Sequence, residues 1–183
     1  MASFKALMLA RADGGVQPSW LQLDDSDLME GDVTVRVTHS TINYKDGLVL
    51  MGKLPGLRLP LIPGIDFSGT VLASSHPEFA PGDDVILNGW GCGERHHGGY
   101  AERARVKGDW LVKRPDAFTN AEAMRVIAAT SPSSRPCRTG SPRSAKKRSH
   151  SASVGPSRIA AKYQWRQEQR GCIRQETGPA WSN

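Results

Sequence analysis

Cysteine is scarce in this chain of 183 residues, which has only three, Cys92, Cys137 and Cys172. Their odd number and wide spacing match neither a disulfide framework nor a paired zinc hook, so a reducing compartment is expected. Long hydrophobic runs are also missing, since stretches such as 48–51 fall far short of the roughly 18 residues of a membrane span. The N-terminus has no basic segment followed by an apolar one, as a secretory signal would. We therefore expect a cytoplasmic protein with no membrane partner.

The net charge of +6 is distributed unevenly along the chain. Residues 1–130 carry 13 Lys/Arg against 16 Asp/Glu, whereas residues 131–183 carry 11 against two. The second segment has 10 Ser and five Pro, but only three residues from the set Leu, Ile, Val and Phe. Such a composition buries too little apolar surface to offset the loss of chain entropy on folding. We predict a domain over 1–130 and a disordered, basic Ser/Arg/Pro-rich tail over 131–183.

The first 130 residues contain short apolar runs separated by Gly, Pro and Asp turns, a pattern typical of a mainly β antiparallel barrel or sandwich. The clearest strand is 32–38, where valine occupies every second position from Val33 and predicts one buried face. Thr119 and Glu122 form a T-x-x-E capping box ahead of the Ala-rich 123–129. A short C-terminal helix is expected there.

Two segments are predicted to be irregular. Residues 42–47 lead into a short apolar turn, and 89–99 have five glycines in eleven positions, which favours a flexible, solvated loop. That loop contains several potential metal ligands. They are the sulfur of Cys92, the carboxylate of Glu94 and the imidazoles of His96 and His97. Four ligands would need a second cluster, and none is evident except the isolated His39 and His76, so a solvated glycine loop is the favoured interpretation.

Several motifs together resemble one known family. They are Asn-Tyr-Lys-Asp at 43–46, Ile-Pro-Gly-Ile-Asp-Phe-Ser-Gly-Thr-Val at 62–71, Pro-Gly-Asp-Asp-Val at 81–85 and Gly-Gly-Tyr-Ala-Glu at 98–102. In order and spacing they resemble the N-terminal half of medium-chain dehydrogenase/reductases. With Val-Lys-Gly-Asp-Trp-Leu-Val at 106–112, the chain is most similar to the zinc-independent acrylyl-CoA reductase and quinone-oxidoreductase-like branch. The resemblance covers about residues 4–129.

This resemblance implies a GroES-like β-barrel that forms the substrate side of a cleft, opposite a Rossmann domain that holds NADPH. The implied reaction is hydride transfer to an α,β-unsaturated acyl-CoA or a quinone-like enone. No G-x-G-x-x-G fingerprint follows residue 130, so the Rossmann domain is expected to be absent. We therefore expect a truncated oxidoreductase that is inactive or nearly inactive alone.

The resemblance also implies roles for three residues of the first motif. Tyr44 would lie against the cofactor, with its ring beside the nicotinamide and its hydroxyl as a donor. Asn43 would orient the substrate carbonyl or the cofactor ribose, and Asp46 would hold Lys45 or Asn43 in place. The residue pattern alone leaves a second interpretation open, in which Tyr44 is a half-buried barrel residue and Asp46 is a turn cap. Asp66 is expected to be structural.

Zinc is not expected at this site. In the zinc-using branch the first motif carries a Cys ligand, and the glycine of the second motif is followed by His-Glu. Here those positions hold Asn43, Ile65 and Asp66. Isoleucine has no lone pair and asparagine is a poor zinc ligand, so a three-ligand catalytic site cannot be assembled.

Two alternative origins are open for the tail, residues 131–183. A shifted reading frame in a GC-rich gene converts Ala, Gly and Val codons into Arg, Ser and Pro codons, and the abrupt change inside a capped helix favours this origin. A genuine tail would instead be a nucleic-acid-binding arm or import signal.

The face that packs on a second domain in the family should expose apolar area, so homodimers or aggregates are expected.

Overall fold

The structure is a computed structural model and describes residues 3–130, so the predicted tail lies outside the described residues. The elements are β1 Phe4–Ala12, β2 Gly15–Leu23, β3 Val33–Ser40, α1 Tyr44–Leu50, β4 Asp66–Ser74, β5 Asp84–Asn88, β6 Arg103–Val106, β7 Leu111–Lys113 and α2 Asn120–Thr130. A single 3-10 turn, Gly108–Trp110, precedes β7. The prediction of a mainly β fold with a short C-terminal helix is confirmed. Within the described range, neither helix has the length and apolar character that a membrane span requires.

The seven strands described between residues 3 and 130 pair in antiparallel fashion. Strands β1 and β2 form a hairpin, and the other five strands form a sheet in the order β6-β3-β4-β5-β7. Isolated bridges from Ala6 to Ala101 and from Leu9 to Leu61 connect β1 to two of the loops. These bridges bring the hairpin against the segments that border the candidate site.

The main core lies on one face of the five-stranded sheet. The predicted alternation in β3 is confirmed, because Val33 and Val35 are fully buried and Val37 packs against the same core. The cluster is completed by Phe67, Val71, Phe79, Val85, Leu87, Cys92, Ala104, Val106 and Leu111. Burial of each large aliphatic or aromatic side chain contributes about 1.5–3 kcal/mol.

Helix α2 covers the opposite face of β5. Ile86 points away from the main core and packs with Ala123, Met124 and Ile127, which share one face of the helix. The capping box is formed: Glu122 Oε2 accepts a 2.8 Å hydrogen bond from the Thr119 amide, and the Glu122 amide donates to Thr119 Oγ1 at 3.2 Å. The helix start predicted from the sequence is therefore confirmed.

The prediction of a short apolar turn after residue 42 is wrong, because Tyr44–Leu50 is helical. Asn43 is the N-cap, and Asp46, three residues later, accepts a 2.8 Å hydrogen bond from the Asn43 amide. This is the backbone-directed half of a capping box, with Asp in place of Glu or Gln. Val49 anchors the helix by packing with Leu9 and Leu61.

The prediction of a solvated loop at 89–99 is also wrong, since Cys92 and His97 are both buried. The glycines allow close packing where a side chain would clash. A Cβ on Gly98 would lie 2.1 Å from the carbonyl oxygen of Gly64, and one on Gly64 would lie 2.7 Å from Tyr100. The loop is thereby held against the segment that leads into β4.

Candidate functional site

A buried polar cluster lies where α1, β4 and the glycine-rich loop meet. At its centre is Asp66, the first residue of β4, which is 3% exposed. Its Oδ2 accepts hydrogen bonds from Asn43 Nδ2 at 2.5 Å and from Thr41 Oγ1 at 3.3 Å. Its Oδ1 accepts from the Gly89 amide at 2.9 Å. One carboxylate therefore joins the start of α1 to the start of the glycine-rich loop.

Asp46 forms the second acidic group of the cluster. Its Oδ2 accepts from the Asn43 amide at 2.8 Å, and its Oδ1 accepts from the Ile65 amide at 3.0 Å. The Tyr100 hydroxyl interacts with Asp46 and donates to the Thr41 carbonyl at 3.0 Å. Asp46 thus both caps α1 and ties it to the residue before β4, as the turn-cap interpretation required.

Burial sets the electrostatics of this cluster. Desolvation raises the pKa of Asp66 to about 6, against the hydrogen bonds from Asn43 and Gly89, which favour the carboxylate. Desolvation also raises the pKa of Asp46, partly offset by the amides of Asn43 and Ile65. The pKa of the Tyr100 hydroxyl lies above its usual value, first because of burial and then because of the charge of Asp46. The cluster keeps Tyr100 protonated as a donor.

The side chains on either side of Asn43 are exposed. Ile42 is 87% exposed and Tyr44 is 67% exposed, whereas Asn43 between them is 7% exposed. Tyr44 is therefore not a half-buried barrel residue. It presents an aromatic ring and a hydroxyl to the outside of the domain, at the N-terminus of α1.

The side chains of Asn43 and Lys45 both have polar partners within the domain. The side-chain nitrogen of Asn43, Nδ2, donates to Thr41 Oγ1 at 2.9 Å as well as to Asp66, so both of its hydrogens have partners. Lys45 Nζ lies 2.7 Å from Glu94 Oε1. Of the two partners expected for Asp46, the one it hydrogen-bonds is Asn43.

The residues at the zinc positions of the related branch do not form a donor set. The side-chain nitrogen of Asn43 donates hydrogen bonds, and the Ile65 side chain has no atom that can bind a metal. Both carboxylate oxygens of Asp66 accept hydrogen bonds within the protein. Between residues 3 and 130, no group of three or more His, Cys, Asp or Glu side chains is arranged to hold a metal.

The other candidate ligands make contacts within the domain or are disfavoured as ligands by burial. Burial raises the pKa of the Cys92 thiol to about 12, which disfavours the thiolate. His97 Nδ1 accepts a hydrogen bond from the Ile62 amide at 3.2 Å, and burial lowers its pKa. His39 contacts Thr38, and His76 packs beside Phe79.

Two members of the cluster were not singled out from the sequence. Thr41 and Tyr100 are 59 residues apart, and no local pattern indicates that the tyrosine hydroxyl reaches the threonine carbonyl. The glycine pair before Tyr100 was the available signal, because closely packed glycines allow a side chain to approach a neighbouring backbone.

Comparisons with known proteins identify the family to which this domain is related. Residues 29–116 match the alcohol dehydrogenase GroES-like domain. The chain is 53% identical over 126 residues to a protein of Escherichia coli (strain K12) named "Probable acrylyl-CoA reductase AcuI", with 68% of this chain and 39% of the relative covered. It is 41% identical over 124 residues to the "Putative quinone oxidoreductase YhfP" of Bacillus subtilis (strain 168), covering 66% of this chain and 37% of that relative.

A solved structure gives the same result. The crystal structure of the yhdH oxidoreductase from Salmonella enterica in complex with NADP aligns with a TM-score of 0.66 and 52% identity, over 68% of this chain and 39% of that one. The chain spans about 39% of the length of its E. coli relative. The part of the chain that contains residues 29–116 is a GroES-like domain of the medium-chain dehydrogenase/reductase superfamily, related to acrylyl-CoA reductases and quinone-oxidoreductase-like proteins.

Proposed function

We propose that residues 3–130 supply the substrate side of the active site of an NADPH-dependent reductase, which acts on an α,β-unsaturated acyl-CoA or a quinone-like enone. The observation that carries the proposal is the exposed Tyr44 ring, held beside the buried cluster of Asn43, Asp46 and Asp66. The printed descriptions of the relatives support it, since they name an acrylyl-CoA reductase, a quinone oxidoreductase and an oxidoreductase with NADP.

Each of the three predicted site residues has a proposed role. Tyr44 offers a flat apolar face against which a nicotinamide ring can pack, and its hydroxyl is available as a hydrogen-bond donor. Asn43 and Asp46 act as positioning residues, because their hydrogen bonds fix the first turn of α1 and thereby the direction of Tyr44. Contact of Asn43 with the substrate carbonyl or the ribose stays a prediction. A carbonyl would have to replace a present partner of Nδ2, whereas a ribose hydroxyl could donate to the buried Oδ1, which has no hydrogen-bond partner among residues 3–130.

The described residues fit only one side of a bound dinucleotide. NADPH, when bound, supplies the hydride. A dinucleotide pyrophosphate binds where a glycine-rich turn opens a helix, and neither α1 nor α2 follows a G-x-G-x-x-G turn. Binding of the phosphates is therefore assigned to a second domain, and the chain alone should bind NADPH weakly. Asn43, Ile65 and Asp66 do not form a set of zinc ligands, which supports a reaction without zinc.

A chimera tests these roles. Residues 3–130 replace the matching N-terminal part of the E. coli relative, and circular dichroism and NADPH titration verify folding and cofactor binding. Tyr44→Ala should raise the dissociation constant for NADPH or lower turnover by about tenfold or more, while Asp116→Asn, an exposed change outside the cluster, should do neither. Wild-type kinetics in Tyr44→Ala would contradict the assignment of Tyr44.

The tail carries two proposals of different kinds. We propose first that residues 131–183 arise from a shifted reading frame, which translation of the encoding DNA in all three frames tests. A frame that continues α2 into a strand and a glycine-rich turn supports it, and no such frame contradicts it. The alternative is a non-enzymatic β-barrel with a basic nucleic-acid-binding tail, because residues 131–183 carry 11 Lys/Arg against two Asp/Glu. Its RNA affinity would fall steeply with salt and vanish on removal of 131–183.

A further inference from the structure

A cleft of about 600 Å³ lies on the outer side of the glycine-rich loop and is distinct from the buried cluster. Its aromatic walls are Trp90 and Trp110, and its charged rim includes Glu30, Glu94, Arg95 and Lys107. None of these residues belongs to the site assigned above. The cleft is large enough for a drug-sized or nucleotide-sized ligand.

The aromatic walls are parallel. The planes of Trp90 and Trp110 differ by 9°, with ring centroids 6.5 Å apart. His96 meets Trp110 edge to face at 5.2 Å and 87°. Trp110 also packs against the main core, which fixes its orientation. Because parallel rings with centroids 6.5 Å apart are too close to hold a third ring between them, a flat ligand ring would stack on the surface that this pair presents to the cleft.

Trp90 is held in a backbone conformation that a bulky residue rarely adopts. Its φ is +57°, and it is the one residue other than glycine with a positive φ within 3–130. The left-handed region disfavours side chains with a Cβ, and such conformations are enriched at ligand sites. The sequence places tryptophan between Gly89 and Gly91, where glycine would be unstrained. The indole is thus retained at a conformational cost.

The charges of the rim favour an anion. Arg95 and Lys107 are exposed, and Lys107 Nζ lies 5.9 Å from the centre of the Trp110 ring. Of the two acids, Glu94 is paired with Lys45 at 2.7 Å. The carboxylate of Glu30 is therefore opposed by two cations around the aromatic walls. A ligand with a flat ring and a phosphate meets both features.

We propose that this cleft binds an adenine ring that carries a ribose phosphate. The ring stacks on Trp90 and Trp110, and the phosphate lies beside Arg95 and Lys107. The choice of adenine rests on the proposed function, because an acyl-CoA ends in adenosine 3′-phosphate, whereas the phosphates of NADPH are assigned to a second domain. The Glu94–Lys45 ion pair links the rim of the cleft to α1.

Calorimetric titration of the full chain with adenosine 3′,5′-bisphosphate tests the proposal. We expect submillimolar affinity that adenosine and inorganic phosphate, titrated separately, do not match within about tenfold. Trp90→Gly removes the ring at a position where glycine relieves the backbone strain, and should weaken binding about tenfold or more. Lys107→Gln should also weaken binding, whereas Lys53→Gln, an exposed lysine outside the cleft, should leave it unchanged.

A second arm distinguishes the source of the nucleotide. Tighter binding of the 3′,5′-bisphosphate than of adenosine 2′,5′-bisphosphate supports the coenzyme A end, whereas the reverse order indicates a dinucleotide and overturns the assignment to coenzyme A. No binding at millimolar nucleotide, or binding that Trp90→Gly and Lys107→Gln both retain, would overturn the proposal. These titrations need no turnover, so loss of reductase activity in the chimera would leave their result separate.

Discussion

Asn43 and Asp66, 23 positions apart in the chain, are joined by a 2.5 Å hydrogen bond from Nδ2 to Oδ2. The bond attaches the N-cap of α1 to the first residue of β4. Because Asn43 is drawn inward, its neighbours Ile42 and Tyr44 are turned outward. The exposed tyrosine on which the proposed function rests is therefore a consequence of a buried carboxylate.

The buried carboxylate of Asp66 predicts a specific dependence of stability on pH. Its pKa is raised from 3.8 to about 6, so the folded protein holds a proton over a range where the unfolded chain has released it. Its stabilising contribution is complete below an ordinary aspartate pKa and is lost as pH rises through about 6. The excess unfolding free energy of the wild type over Asp66→Asn should fall by roughly 2–2.5 kcal/mol from pH 4 to pH 7.

Urea unfolding at several pH values measures this difference. Asp116→Asn serves as the matched control, because Asp116 is exposed, and its difference from wild type should stay nearly constant with pH. A wild-type advantage over Asp66→Asn that grows with pH would show that the folded state prefers the ionised form.

The hydroxyl of Tyr100 predicts a contrast between two tyrosines. It donates to the Thr41 carbonyl inside the cluster, so Tyr100→Phe leaves that acceptor and Asp46 with one donor fewer. The free energy of unfolding should drop by about 1–3 kcal/mol. Tyr44→Phe removes a hydroxyl from an exposed ring and should change it by less than about 0.5 kcal/mol. Equal effects in chemical denaturation would contradict the cluster geometry.

The contact of Gly98 with Gly64 predicts that a single methyl group is not tolerated. The Cβ of Gly98→Ala would lie 2.1 Å from the Gly64 carbonyl oxygen and 2.6 Å from that of Pro63. We expect a loss of at least about 2 kcal/mol in unfolding free energy, by thermal or urea denaturation. Gly14→Ala, at a position with open space around the Cβ, is the control and should cost little. A stable Gly98→Ala variant would show that the loop packs elsewhere.

The exposed apolar side chains at α1 predict self-association of the chain. Ile42 is 87% exposed, Tyr44 67% and Met51 57%. Sedimentation velocity should show dimers or larger species that increase with concentration, and Ile42→Ser should reduce them. Leu21→Ser, on the separate β1–β2 hairpin, should have less effect. A wild-type monomer at all concentrations would remove the basis for association through this surface.

Local patterns in the sequence predicted much of the fold. The valines of β3 and the Thr119 capping box are periodic or short-range signals, and both are confirmed. Helix α1 was missed because Gly47 interrupts it, although Asn43 and Asp46 carry a capping signal. Short helices depend more on burial than on propensity, and here Val49 supplies it.

The buried cluster could not be predicted because its bonds connect distant segments. Asp66 was expected to be structural, and its burial fits that expectation, but no spacing reveals that Asn43 and Gly89 both donate to it. The burial of Cys92 also depends on distant contacts, since its side chain joins the main core and the adjacent Gly93 packs against Gly64. Packing between distant segments buries these side chains, although the local composition predicted that they would be exposed to solvent.

The central claim is that this domain supplies the substrate side of a reductase site, and turnover by the chimera with the E. coli relative tests it most directly. Oxidation of NADPH should be followed at 340 nm with acryloyl-CoA as acceptor, with and without a metal chelator. We predict acryloyl-CoA-dependent oxidation that the chelator does not reduce, and no such turnover by the 183-residue chain alone. A folded, NADPH-binding chimera that leaves acryloyl-CoA and quinones unreduced would contradict the account.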